Sequence, residues 1–304
     1  MTRILLIGQD GQVGQELQRR LSPLGTLIGV GRSQLDLTQP EMIQPVIENA
    51  NPDLIVNAAA YTAVDQAESE PEMAFAANGT APGKMAEVAQ SLGIPLLHIS
   101  TDYVFDGSKN TPYLETDPTR PLGIYGKSKQ AGEAAILAVA DRHPDFRYVI
   151  LRTAWVYGAL GKGNFVKTML RLGGDRTEVR VVADQVGTPT WAGEIAETLT
   201  QLTEKFLQTP AAPNTLSGIY HFTNSGVTSW YDFAVAIFEE AQSLGVPLTL
   251  QRVVPITTAE YPTPTQRPAY SALANQKIQA LLGSIAPHWR QSLRQMLAEL
   301  QPRQ

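Results

Sequence analysis

The first twenty residues constrain the fold more than any other stretch. Ile4-Leu5-Leu6-Ile7 is an unbroken apolar run closed by Gly8, the pattern of a strand buried on both faces of a parallel sheet. Gly8-Gln9-Asp10-Gly11-Gln12-Val13-Gly14 follows, and then Gln15 to Leu21, with Leu17 and Leu21 at helical spacing, ends before Ser22-Pro23. In a strand, glycine turn and helix of this kind the glycines have separate jobs: a tight turn, close approach of backbone to a pyrophosphate, and tight packing of helix on strand. The helix start adds free amides and partial positive charge. Glycine clusters also make plain turns, but a position directly after a buried strand favours a dinucleotide at Gly8, Gly11, Gln12, Val13 and Gly14.

The pattern then repeats. Leu27 to Val30 reads as a second strand, followed by Gly31-Arg32-Ser33. An acidic residue near this point holds the ribose hydroxyls of NAD, whereas arginine accommodates the extra phosphate of NADP. Arg32 and Ser33 therefore lean towards NADPH, with an exposed loop arginine as the plainer alternative. A helix around Glu41 to Asn49, a strand from Asp53 running into Ala58-Ala59-Ala60, a helix over Pro71 to Leu92 containing Asn78, and strands at Ile94 to Ile99 and Tyr148 to Leu151 complete an alternation. That alternation predicts an α/β fold with a doubly wound, Rossmann-like parallel sheet.

After Arg152 the character changes. Trp155, Tyr157 and the glycine-rich Gly158 to Phe165 lack the strand-loop-helix form of a phosphate loop. Helices are expected over 165–172, 192–206, 229–242 and 288–300, and strands over 179–182 and 218–223. A proline- and threonine-rich loop at 209–215 and a rigid, exposed loop at 261–268 carrying Arg267 lie between them. This gives a dinucleotide-binding domain of residues 1–155 and 190–224. A smaller mixed α/β substrate domain takes 156–189 and 225–304.

The strand ending at Ile99 delivers Ser100-Thr101-Asp102-Tyr103-Val104-Phe105, and Tyr125-Gly126-Lys127-Ser128-Lys129 follows. On a helix, Tyr125 and Lys129 stand one turn apart on the same face. A free phenol has a pKa of about 10, so a neighbouring ammonium that stabilises the phenolate makes it a better proton donor. Thr101 adds a hydroxyl for the same substrate oxygen. A solvated helix face explains the Tyr-Lys spacing equally well when it is taken alone.

Composition closes several doors. A net charge of -5 leaves no basic footprint for nucleic acid, and the absence of cysteine removes disulfides, thiolate catalysis and cysteine-held metals. His98, His143, His221 and His288 show no ligand spacing. Without a signal segment or a membrane-length apolar run, a cytoplasmic location and no membrane partner are expected.

Gly8-x-x-Gly11-x-x-Gly14, Tyr125-x-x-x-Lys129 and the upstream Ser100-Thr101 resemble the extended short-chain dehydrogenase/reductase superfamily. Within it, Asn57 to Asp65, Ser100 to Phe105, Arg152 to Tyr157 and Tyr261 to Pro264 are similar to the dTDP-4-dehydrorhamnose reductases. The resemblance implies NADPH-dependent reduction of the 4-keto group of a dTDP-linked sugar. It implies Tyr125 as acid, Lys129 on the nicotinamide ribose, and Asp36, Leu37, Ala60, Tyr61, Thr62 and Ile99 around the cofactor. Thr101, Asp102 and Trp155 would meet the sugar nucleotide and Arg267 its diphosphate. Gly31 departs from members that accept NADH through an acidic residue there. Some members form metal-bridged dimers, so Glu16, Glu194 and Glu299 are candidate Mg²⁺ ligands and the chain a monomer or homodimer. A catalytically silent NADP-binding regulatory subunit, or another nucleotide-sugar epimerase or dehydratase, are the alternatives the same superfamily offers.

Overall fold

Segments such as Leu54-Ile55-Val56 have no polar face to offer water, and all three side chains are buried. A computed structural model describes residues 2–209 and 215–300. It orders the first half as β1 (Arg3–Ile7), α1 (Gln12–Leu21), β2 (Thr26–Val30), α2 (Ile43–Ala50), β3 (Leu54–Asn57), α3 (Pro71–Phe75), α4 (Ala81–Ser91), β4 (Leu96–Thr101), α5 (Ile124–Arg142) and β5 (Tyr148–Thr153). The second half holds β6 (Val156–Tyr157), α6 (Phe165–Asp175), β7 (Glu178–Val182), β8 (Val186–Gly187), β9 (Thr190–Trp191), α7 (Ala192–Gln208), β10 (Gly218–His221), β11 (Thr228–Ser229), α8 (Trp230–Ser243), β12 (Arg252–Ile256), α9 (Gln276–Leu282) and α10 (Trp289–Leu300).

Six strands form one sheet in the order β2-β1-β3-β4-β5-β10, and every pairing is parallel. The two apolar faces are covered separately. Leu17 and Leu21 of α1 and Leu199 and Leu202 of α7 seal one against Leu6, Val56 and Leu97. Ile43 and Ile47 of α2, Met85 of α4 and Ile136 of α5 seal the other against Leu5, Ile55 and Ile150. Strand order reverses between β1 and β3, and at such a switch point the C-terminal strand edge opens into a crevice. A third core joins α6, α8 and α10 to β7 and β9 around Phe233 and Trp289.

The structure departs from the sequence expectation in two places. The helix expected over 71–92 is interrupted by a π-helical turn at Ala76–Thr80, a wide turn of the kind that collects at functional sites. The loop at 261–268 is not exposed throughout, because Thr265 is buried and its hydroxyl donates to the Val64 carbonyl at 2.9 Å. The threonine-rich loop expected at 209–215 lies mostly outside the described residues.

Candidate active site

The glycine turn works as its residue types dictate. Gly8 has φ +88°, and a Cβ there would come within 2.6 Å of the Ala59 nitrogen, so no other residue fits without shifting β3's extension. Gly14 does not line the cleft; a Cβ on it would lie 2.0 Å from the Gly8 carbonyl, and its role is close packing of α1 on the turn. Gly11 caps α1 without any side-chain hydrogen bond. The first amides of a helix have no intrahelical partner, and Gln12 and Val13 face a cleft of about 700 Å³. Free amides at a helix start are a place that could hold an anionic group such as a pyrophosphate.

Around this turn the cleft is lined by Arg32, Asp36, Leu37, Ala60, Tyr61, Thr62, Ile99, Thr101, Asp102, Tyr125, Lys129 and Trp155, so the sequence-derived set largely converges. Ser33 does not; it lies outside and donates to Gln34 Oε1 at 2.9 Å. The Asp36 carboxylate accepts from the Thr38 amide and hydroxyl, which hold it below the usual carboxylate range. Asn78, carried on the π turn, accepts from the Tyr61 amide at 2.8 Å and donates to the Tyr61 carbonyl at 2.9 Å. The widened turn thus pins the Ala60 to Thr62 wall.

Tyr125 is the second residue of α5 and Lys129 follows one turn later, both buried. Burial pushes the Tyr125 phenol well above its ordinary value, opposed by a hydrogen bond with Thr101. Lys129 Nζ donates to the Ile99 carbonyl at 2.6 Å, and burial lowers its pKa to about 8 against the opposing pull of Glu133. Asp102 is pushed up to about 6 by burial, although Ser271 and Thr101 hydrogen bonds work the other way. Ser100 Oγ, Asp102 Oδ2 and Thr153 Oγ1 are buried without partners, and all three residues line the cleft. Orphaned polar atoms at one edge are what a polar ligand would satisfy.

Trp155 adopts φ +47°, a left-handed conformation that costs an L-residue roughly 1–2 kcal/mol. Its ring stacks on Trp230 at 3.6 Å between centroids and lies over Gly187, where a Cβ would come within 2.6 Å of it. Arg267 is not on the cleft wall. Its guanidinium donates to Asp65 Oδ2 at 2.9 Å and also bonds the Tyr103 side chain, whose phenol burial raises to about 12. Glu16, Glu194 and Glu299 do not assemble into a metal site within the chain: no cluster of three potential ligands exists among the described residues. One oxygen of buried Glu16 accepts from Arg20 at 3.0 Å, while the other has no partner.

Several residues of the site had not been singled out from sequence. Tyr103 meets Tyr125 edge to face at 5.4 Å. Lys162, Gly163 and Asn164 bring the 158–165 loop onto the cleft, and Asn164 donates to Gln12 Oε1 at 2.7 Å. Asparagine directly before an apolar helix is a capping signal, and Asn164 does accept from the Lys167 amide, so its placement was readable. Nothing local announces the Trp155–Trp230 stack.

A parallel doubly wound sheet, an open glycine turn and a threonine, tyrosine and lysine gathered at the strand edge define a short-chain dehydrogenase/reductase. The family model for the RmlD substrate binding domain matches residues 1–302. A dTDP-4-dehydrorhamnose reductase of Burkholderia thailandensis is 46% identical over 290 residues, 95% of each chain, and that of Escherichia coli (strain K12) is 44% identical over 98% of this chain and 97% of its own. The crystal structure of dTDP-4-dehydrorhamnose reductase from Bacillus anthracis in complex with NADP superposes with a TM-score of 0.87 at 34% identity, covering 98% of this chain and all of that one. The chain belongs to the dTDP-4-dehydrorhamnose reductase family.

Proposed function

We propose that this chain reduces the 4-keto group of dTDP-4-dehydro-L-rhamnose to dTDP-L-rhamnose at the expense of NADPH. The observation that carries the reading is the convergence of Thr101, Tyr125 and Lys129 beside the open amides of Gln12 and Val13. Relatives of 41–46% identity bear this activity in their names, and a structural relative was solved with NADP.

When bound, NADPH supplies the hydride that reduces the carbonyl carbon. The Tyr125 hydroxyl gives its proton to the carbonyl oxygen, and Thr101 donates to the same oxygen as negative charge develops there. Lys129 holds the ribose and offsets charge on the Tyr125 oxygen. Gln12 and Val13 amides hold the pyrophosphate, while Arg32 offers a cation at the adenosine end. Residues 1–155 and 190–224 serve the cofactor; 156–189 and 225–304, with Trp155 and Arg267 at the boundary, serve the sugar nucleotide.

No helix among the described residues is long and apolar enough to cross a membrane. A cytoplasmic location and a monomeric or homodimeric chain complete the proposal. The intact trio speaks against a silent regulatory subunit. NADPH oxidation followed with a panel of nucleotide-linked 4-keto sugars tests the reading: consumption with the rhamnose precursor is expected. Product formation without net NADPH oxidation would instead identify an epimerase or dehydratase.

A further inference from the structure

Behind Lys129 lies a buried polar pair that the reaction as described does not use. Asn57 ends β3 and His98 sits opposite it on β4, both wholly inside the protein. Asn57 Oδ1 accepts from the Ala59 amide at 3.0 Å, so the NH₂ end of its amide faces His98 Nδ1 at 2.9 Å. Nδ1 must then offer its lone pair. Burial, reinforced by the Lys129 charge, holds the imidazole neutral, and a neutral ring has a single N–H. That proton sits on Nε2, which faces Lys129 Nζ at 3.4 Å.

An ammonium has three donors and no acceptor, so Nε2–H opposes it; an amine has a lone pair that Nε2–H can fill. We propose that His98 is a positioning residue that favours the neutral amine of Lys129, setting the pH at which the lysine gives up its proton beside Tyr125. The other groups around Lys129 do not replace this one. Glu133, one turn on along α5, favours the ammonium but is tied to Arg152 of β5 by bonds of 2.9 and 2.6 Å. Tyr125 lies one turn back, and the Ile99 carbonyl accepts from the ammonium. The two hydrogen-bonding atoms set against the lysine nitrogen are thus of opposite kinds, the Ile99 carbonyl as acceptor and His98 Nε2–H as donor. The donor-facing-donor contact is set by the chain: Ala59 fixes Asn57, Asn57 fixes the tautomer, and the tautomer acts on Lys129.

This inference rests on the reductase reading for its catalytic meaning, but its test does not. Nitrogen NMR of ¹⁵N-histidine-labelled protein should show a neutral His98 protonated at Nε2; a proton on Nδ1 or a charged ring overturns the proposal. Titration of Lys129 by ¹³C NMR of labelled lysine provides the second measurement. In His98→Gln, whose amide can turn its oxygen to Lys129, and in His98→Asn, which removes Nε2–H, the Lys129 midpoint should rise by about one pH unit, a tenfold change in proton affinity. The basic limb of the kcat profile should move with it, while NADPH Kd stays within about twofold. Midpoints that coincide with the unsubstituted protein in folded variants would refute the assignment. Should neither variant fold, the histidine spectrum of the native protein still decides it.

Discussion

Replacing Tyr125 with phenylalanine deletes one hydroxyl and little else. The ring is buried among Ala67, Ala74 and the edge of Tyr103, contacts that phenylalanine keeps, so thermal stability should not fall. What is lost is the proton placed at the carbonyl oxygen together with its hydrogen bond to Thr101. Positioned proton transfer contributes about 10²–10⁴ in rate. At 1.36 kcal/mol per tenfold this is roughly 2.7–5.4 kcal/mol of barrier. The lower end applies if Thr101 and solvent protonate the oxygen in its place, so Thr101→Val combined with Tyr125→Phe should reach the upper end. Single-turnover NADPH oxidation, with Kd for NADPH from fluorescence titration, separates chemistry from binding. Turnover within threefold of the unsubstituted chain would remove Tyr125 from the reaction and with it the reason for Lys129 at its side.

Asp102 is pushed up to about 6, so the folded protein holds its proton where an unfolded chain has lost it. Stability therefore falls as pH rises from about 4 to 6. Asp102→Asn should flatten this window in urea titrations and flatten any change of KM near pH 6. Glu133→Ala strands the Arg152 guanidinium in the interior and should cost about 3–5 kcal/mol by denaturant unfolding; a loss under 1 kcal/mol would contradict the burial of both partners. Asp10 lines the cleft with Oδ2 2.0 Å from where a Gly31 Cβ would stand, beside Arg32, so Asp10→Ala should tighten NADPH binding several-fold relative to NADH by removing a charge that repels the extra phosphate; an unchanged ratio would place that phosphate elsewhere. Arg267→Ala should raise KM for the sugar nucleotide while kcat holds, and also free Asp65; an unchanged KM would leave Arg267 as a latch between the 61–68 and 261–268 loops only.

How much of this could be read from the chain follows from the range of each interaction. Ile4 to Gly14 and Tyr125 to Lys129 were legible because strand burial, glycine geometry and one-turn spacing are local, and the structure brings both stretches to one cleft. The interruption of the 71–92 helix has a local trace in Gly79 and Pro82, but its wide turn does not, since Asn78 on it answers to Tyr61 and Ser128 far away in sequence. His98 shows the limit most clearly. As one of four scattered histidines it fits a structural role, and its burial agrees with that. Its meaning arises only when parallel pairing sets it against Asn57 and α5 lowers Lys129 onto its other nitrogen. A neutral imidazole has one proton to place between two neighbours, and where that proton goes depends on an amide on a different strand. Chemistry of this kind is written in contacts between elements, so sequence reasoning can nominate the lysine and the tyrosine but not the group that tunes them.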